Sequence, residues 1–307
     1  YMLFWSIFSQ FLTQFIQINM NMHIFDIDFQ TNVNASGLTS MKLPTLLNIV
    51  YYPRSTKELT FLYDYFSVNN LPFFILGSGS NVIFTEKAKN LNVISTKNLK
   101  PTISRKDNIV TASASVMLSK LYRYCQEKGL SGFEKLATIP GTVGGAIIMN
   151  AGCFGSSICD NLISVKIFHA GKTKWIKKEK LNFSYRHSGL NDCLILSAKF
   201  ALKNSDKCEI EREFLKYCAL RAKNQPKGYS VGSIFKNSPT YNAGELIDKC
   251  GLKGLKIGGA RISEKHGNFI INEDNASAKD VLSLIKIIKE NVYQKFGIQL
   301  EEEVKIL

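Results

Sequence analysis

The sequence predicts an α+β protein made of two units. Three observations carry that expectation. Runs with strand spacing and runs with helix spacing both occur along the chain. The character changes near residue 205, where a helical run is followed by a Gly- and Asn-rich stretch. The length of 307 residues, at about 150 residues per domain, suggests about two domains. A chain this long buries roughly three-quarters of the surface its unfolded form exposes, so it needs no disulfide or metal staples. The expected division is an N-terminal extension over 1–33, a first domain over 34–205 and a second over 206–307.

Residues 1–25 carry no Asp, Glu, Lys or Arg and are rich in Phe, Leu and Ile. A signal peptide would want a basic start and a small-residue cleavage site. Gln10, Gln14, Gln17 and Asn19 interrupt any run of the about 20 apolar residues that spanning a bilayer requires. No stable membrane insertion is expected. The stretch reads as a fragment or a mis-set start, with Met20 and Met22 downstream, and a surface-lying amphipathic segment is the alternative.

The elements follow in order. Ser55-x-x-Glu58 has the form of a capping box, and Leu59, Leu62 and Phe66 share one helical face. Phe73-Phe74-Ile75-Leu76 reads as a buried strand ending at Gly77. Val110 begins another extended piece, and a helix is predicted from about Met117 to Lys128, with Leu118, Leu121, Tyr122 and Cys125 inward. Ile163, Val165 and Ile167 alternate with Ser164 and Lys166; Ala170-Gly171 forms the turn, and Trp175 lies on the returning strand. Cys193 to Leu202 is a further strand. Beyond it, Glu209 to about Lys223 is helical through Ile210, Phe214 and Cys218. Asn242 caps a short helix stopped at Gly251, and Ser277-x-x-Asp280 opens the longest helix, with Val281, Leu284, Ile285, Ile288 and Val292 inward.

Composition narrows the function classes. Seven scattered cysteines without a C-x-x-C pair, and only four histidines, argue against a disulfide framework and a structural zinc site. They read as reduced thiols in a cytoplasmic protein, and no metal is expected. The net charge of +14, from 39 Lys and Arg against 25 Asp and Glu, suits polyanionic partners or ligands with phosphates. A Lys-rich surface is the plainer account. The densest lysine run, Lys166 to Lys180, falls on the hairpin, where alternate side chains face water, so nucleic acid is not expected as a partner.

Four stretches carry the chemistry. Gly77-Ser78-Gly79-Ser80-Asn81 follows a strand directly, and small residues let backbone N–H groups approach an anion. It lacks the third glycine of a Rossmann fingerprint, and no βαβ unit is evident around it, which disfavours that dinucleotide fold. Thr138-Ile139-Pro140-Gly141-Thr142-Val143-Gly144-Gly145 runs on to Asn150-Ala151-Gly152, four glycines in fifteen residues, so backbone can lie flat against a ligand. Two such loops suit a long two-part ligand such as a flavin dinucleotide. Gly232-Ser233-Ile234-Phe235-Lys236-Asn237 places a hydroxyl beside polar neighbours without forming a Gly-x-Ser-x-Gly elbow, which excludes that type of serine hydrolase. In Glu301-Glu302-Glu303, strand geometry would put Glu301 and Glu303 on one face. Arg186, in Phe183-Ser184-Tyr185-Arg186-His187, reads either as a surface cation or as a carboxylate clamp.

Taken in order, these pieces resemble the UDP-N-acetylenolpyruvoylglucosamine reductase family, flavoenzymes of bacterial cell-wall precursor synthesis. The resemblance runs from about Asn34 to the C-terminus and includes Gly258-Gly259-Ala260, Asn268-Phe269 and Phe296-Gly297-Ile298. It implies an FAD-binding PCMH-type domain, similar to vanillyl-alcohol oxidases, followed by an α+β substrate-binding domain. The implied reaction is reduction of UDP-N-acetylglucosamine enolpyruvate to UDP-N-acetylmuramate. FAD is the implied cofactor, NADPH the co-substrate, and a UDP-sugar the only partner of a monomer. By motif position the proton donor falls on Ser233, the catalytic glutamate on Glu303 and the active-site arginine on Arg186. The implied cofactor residues are Gly77, Ser78, Gly79, Ser80 and Asn81, then Ile139, Pro140, Gly141, Thr142, Gly144 and Gly145, then Asn150, Ala151 and Gly152. Substrate contacts fall on Tyr185, Arg221, Lys236, Asn237 and Asn268.

The chain departs from the family pattern in three places. Ser40 to Asn48 has no glycine where a Gly-Gly pair is usual, Cys153-Phe154 stands where Ala-Tyr is common, and Lys223-Asn224-Gln225-Pro226 shifts a usual Lys. Two rival readings remain beside the resemblance: a flavin oxidase or dehydrogenase with another substrate, which has no reason to keep Gly232-Ser233 with Glu303, and an inactive basic binding homologue.

Overall fold

The computed structural model describes residues 27–307. The expectations for residues 1–25 lie outside them. The first unit contains a four-stranded sheet in the order Phe29–Asn34, Leu46–Tyr51, Asn92–Ser95, Phe73–Leu76. The first pair is antiparallel, with Gln30 opposite Val50. The other pairings are parallel, with Val93 opposite both Val50 and Phe74. Two sequence expectations are corrected here. Residues 29–33, assigned to an extension, form the edge strand of this sheet. A βαβ crossover does surround the Gly77 loop: Leu46–Tyr51, helix α1 (Thr56–Val68) and Phe73–Leu76 make it. The strand between its two parallel arms, Asn92–Ser95, arrives later in the chain, so no contiguous pattern announces the unit.

Helix α1 starts where Ser55 accepts a hydrogen bond from Glu58 N at 3.2 Å. The Glu58 carboxylate accepts from Arg54 N, one residue before the position a capping box uses. Its apolar face, Leu59, Leu62 and Phe66, is buried under the sheet with Tyr51 and Ile94.

The second sheet of this unit is antiparallel, in the order Lys172–Lys177, Leu162–His169, Leu194–Ala201, Ile109–Ser113, Ile103–Lys106. Leu162–His169 does not keep the simple alternation read from its sequence. Register shifts at Leu162/Ser164 and Lys166/Ile167 bury Val165, Ile167 and also Ser164, while Ile163 is only half-buried. Ala170 and Gly171 make the hairpin turn with φ of 47° and 70°, the left-handed pair that matches strand twist. Helix α2 (Leu118–Glu127) and the short helix α3 (Val143–Ile148) share a core with this sheet. Helix α4 (Lys207–Asn224), which starts at the expected domain boundary, turns Ile210 and Phe214 into that same core rather than into the second unit.

The second unit packs helices α5 (Ala243–Lys249) and α6 (Ala278–Phe296) with a sheet of Lys256–Ile257, Ala260–Ile262 and Ile270–Asn272. Asn242 caps α5, and Ser277 with Asp280 forms a complete capping box on α6. Met41, Leu43 and Ile83, from the first third of the chain, are buried in this second core. Lys305–Ile306 pairs in parallel with Val82–Ile83, so the two units are tied by strand as well as by side chain.

All seven cysteines are unpaired. Among the described residues, no helix is long and apolar enough to cross a membrane, and no cluster of His, Cys, Asp and Glu is arranged to hold a metal.

Candidate active site

The parallel strand Phe73–Leu76 delivers the Gly77–Asn81 loop against the Pro140–Gly145 loop. Ser78 Oγ donates to Pro140 O at 3.1 Å, and a Cβ on Gly77 would lie 2.6 Å from Thr142 Oγ1. Gly79 holds φ at +66°, and a Cβ there would come within 2.1 Å of the Leu38 carbonyl oxygen. Only glycine fits that position. Among the described residues, the N–H groups of Ser78, Gly79 and Ser80 have no intramolecular acceptor.

In the second loop Gly141 N turns back to Ile139 O, Gly144 N donates to Ala114 O, and Thr142 Oγ1 accepts from Gly145 N. Asn150, with φ of 39°, donates from Nδ2 to Ser184 O at 2.9 Å, while its buried Oδ1 has no partner. Ala151 N closes onto Ala146 O, and Gly152 lies so near Ser156 O that a Cβ would meet it at 2.5 Å. Free N–H groups, backbone bared by obligatory glycine and an unsatisfied buried acceptor together fit a flavin dinucleotide laid along these loops.

The carboxylate end of the site comes from the second unit. The terminal segment runs beside the Ser233 segment, with Glu303 N donating to Ile234 O at 2.7 Å and Lys236 N to Glu301 O at 2.8 Å. The three adjacent glutamates each meet a different cation. Glu301 pairs with Lys236, Glu302 with Lys289 and Glu303 with Arg186.

Arg186 Nε donates to Glu303 Oε1 at 2.6 Å, Nη2 reaches Gly152 O at 3.3 Å, and the guanidinium lies 4.8 Å from the Tyr185 ring. The carboxylate-clamp alternative for Arg186 is thus realised within the chain. Asn81 Nδ2 donates to Glu303 O at 3.1 Å, so both loops meet this pair. Burial pushes the Glu303 carboxyl above its ordinary range, although Arg186 and Lys236 pull it down.

Ser233 pairs across to Phe269, and among the described residues its hydroxyl has no hydrogen-bond partner. Asn268 stands behind it. Asn268 is 2% exposed, and its amide bonds both N–H and C=O of Phe235 at 2.8 Å, so it braces the Ser233 segment rather than offering an open face. Tyr185 is half exposed and its hydroxyl accepts from Asn237 N at 3.3 Å; Asn237 Oδ1 in turn accepts from Ala243 N. Arg221, from α4, donates to Thr138 Oγ1 at 3.1 Å and to Gln225 Oε1 at 2.8 Å.

Three participants were given no site role from the sequence. Thr138 anchors Arg221, and its place one residue before Ile139 is the signal that was available. Phe154 packs at a tilt against Tyr217, with ring centroids 5.1 Å apart, beside Arg221. Ser40 joins the first loop to the Ser233 segment, and it opens the Ser40–Asn48 stretch that departs from the family pattern.

The fold and this site define a two-unit α+β flavoprotein oxidoreductase, with a PCMH-type FAD-binding domain preceding a second α+β domain. The sequence family described as FAD binding domain matches residues 47–176. The family described as UDP-N-acetylenolpyruvoylglucosamine reductase, C-terminal domain, matches residues 224–307. A reductase of that name from Caldanaerobacter subterraneus is 39% identical over 273 residues, covering 88% of this chain and 90% of the relative. One from Geobacillus kaustophilus is 41% identical over 241 residues, covering 77% and 79%. The crystal structure of the reductase from Thermus caldophilus aligns with a TM-score of 0.77 at 33% identity, covering 91% of this chain and 98% of that one. The chain belongs to the UDP-N-acetylenolpyruvoylglucosamine reductase family.

Proposed function

We propose that this chain reduces the enolpyruvyl ether of a UDP-sugar to a lactyl ether with NADPH as reductant, and that Ser233, Arg186 and Glu303 are its catalytic residues. The observation that carries the reading is the Arg186–Glu303 pair, which touches Asn81 and Gly152 of the cofactor loops and adjoins the Ser233 segment through Glu303 N. FAD held by the Gly77–Asn81 and Pro140–Gly145 loops would supply the hydride, from flavin N5 to C3 of the alkene. Negative charge then builds toward C2 and the carboxylate, where Arg186 is a fixed cation in a largely buried setting.

Ser233 Oγ, uncommitted to any acceptor among the described residues, delivers the proton to C2 as general acid. Glu303 holds the guanidinium in place and orients it toward the reacting system. Tyr185, Arg221, Lys236 and Asn237 line the approach for the sugar and diphosphate, and Asn268 serves them from behind. Phosphates on the cofactor, co-substrate and substrate give the +14 balance a use. Seven unpaired thiols suit a reducing cytoplasm, and we place the protein there as a monomer.

The test separates the two half-reactions. Purified protein should carry flavin absorbance that NADPH bleaches anaerobically and the enolpyruvyl UDP-sugar restores. Ser233→Ala should leave bleaching intact while restoration slows by about 10²–10⁴-fold, the usual span for general acid catalysis. Equal loss in both halves would remove the proton-donor role.

A further inference from the structure

We propose that Ser40 is a positioning residue that sets the Ser233 segment against the flavin-binding loop, so that proton delivery, and not flavin reduction, depends on its hydroxyl. The inference rests on the reading of Ser233 as proton donor given above. Ser40 makes one bond in each direction. Its N–H donates to Gly79 O at 3.1 Å, inside the cofactor loop, and its Oγ donates to Ser230 O at 2.6 Å, three residues before Ser233. The Oγ also lies 3.4 Å from Gly79 O, so one half-buried side chain spans partners 39 and 190 residues away.

The residues after Ser40 explain why this strap holds still. Asn272 Nδ2 donates to the carbonyls of Met41 and Lys42 at 2.9 and 3.2 Å. The Lys42 ammonium sits 4.3 Å from the centre of the Tyr229 ring, and Tyr229 pairs with Asn272. Met41 itself is fully buried in the second core. These contacts fasten the strap to the second unit, whereas Ser40 reaches across to the first.

Between Ser230 and Ser233 lies Gly232, at φ of +81° with nothing within 4 Å of where a Cβ would stand. Gly232 has no side chain to fix its path; Val231 and Ile234, around the Gly232–Ser233 pair, are buried in the second core, Ile234 N donates to Asn268 O, and the Ser40–Ser230 bond is the contact that joins this segment to the strap beside the cofactor loop. Loss of the Ser40 hydroxyl leaves the Asn272 contacts, the Ser40–Gly79 bond and the burial of Val231 and Ile234 intact, so the fold persists while the Ser233 segment loses its side-chain tie to the cofactor loop's neighbour. A site held to within about 0.5 Å loses rate steeply when its support relaxes.

The experiment uses the holoenzyme and its Ser40→Ala, Ser40→Thr and Ser233→Ala variants in anaerobic stopped flow, with reoxidation by the enolpyruvyl UDP-sugar followed in H2O and in D2O. FAD affinity of each apoprotein is measured by flavin fluorescence. For Ser40→Ala, flavin reduction by NADPH and FAD affinity are expected within about twofold of wild type. Reoxidation is expected to slow about tenfold, the equivalent of one lost hydrogen bond, with a larger solvent isotope effect. Ser40→Thr keeps the hydroxyl and is expected within about threefold of wild type. An unchanged reoxidation rate in Ser40→Ala, an equal loss in both half-reactions, an unchanged isotope effect, or a Ser40→Thr as slow as Ser40→Ala overturns the proposal. Failure of the Ser233 reading looks different, because Ser233→Ala would then itself reoxidise at the wild-type rate.

Discussion

Replacing Glu303 by Gln keeps the shape and one acceptor oxygen of the side chain while removing the charge that faces Arg186 at 2.6 Å. Both side chains are mostly withdrawn from water, at 14% and 18% exposed, so solvent screens the pair little. A charge-assisted hydrogen bond of this kind contributes about 1.5–3 kcal/mol. If that contribution is realised where charge develops, reoxidation of the flavin by the enolpyruvyl substrate should slow about 10–150-fold in Glu303→Gln. Flavin reduction by NADPH should change little.

The same substitution has a pH signature. Burial, the largest influence, raises the Glu303 pKa despite Arg186 and Lys236. The folded carboxyl therefore keeps its proton to higher pH than the unfolded one. Its contribution to stability is full below the unfolded value of about 4.3 and is lost as pH rises through the folded value. Glutamine has no such loss. Melting temperatures measured from about pH 4 to about pH 8 should move in favour of Glu303→Gln as pH rises. A flat or opposite trend would mean that the Arg186 pair outweighs burial, and an unchanged reoxidation rate would remove Glu303 from the site.

Further outcomes follow from other parts of the structure. Gly79→Ala forces a Cβ to within 2.1 Å of Leu38 O at a left-handed φ, so it should purify with a depressed ratio of flavin to protein absorbance; full retention of flavin would show that the loop gives way freely. Asn268→Ala leaves the buried N–H and C=O of Phe235 unpaired and should lower the unfolding free energy in urea by about 2–5 kcal/mol; a loss below about 1 kcal/mol would contradict the bracing role. His266 accepts a hydrogen bond from Asn268 N through Nδ1, and burial, aided by Lys253, lowers its pKa. The unfolded chain takes up a proton near pH 6.5 that the folded one refuses, so stability should fall as pH drops from about 6.5 toward the folded value. In His266→Gln that portion of the pH curve should flatten, and an equally steep curve would assign the acid loss to other groups.

What could be read from residues alone follows the range of the interactions. The Ser277–Asp280 box, the Asn242 cap and the inward faces of α1, α2 and α6 are decided within a few residues, and local spacing displays them. The Ala170-Gly171 turn is legible for the same reason. The parallel crossover around Gly77 escaped because its central strand is supplied by residues 92–95, after both arms. Simple alternation failed in 162–169 because two bulges shift which side chains face the core. At the candidate site, each loop was visible as a cluster of small residues, but the partnership of Arg186 with Glu303 spans 117 positions and has no local signature. Asn268 was assigned to ligand contact because a motif reports position along the chain, whereas its commitment to Phe235 depends on which way the side chain turns.

Met41, Leu43 and Ile83 sit in the core of a unit whose other residues begin nearly 150 positions later. Inheritance of this half is therefore not modular. A chimera that exchanged only the C-terminal portion with that of a relative would keep foreign plugs in its interior, and breeding such hybrids calls for transplanting the 38–43 and 81–85 pieces along with it.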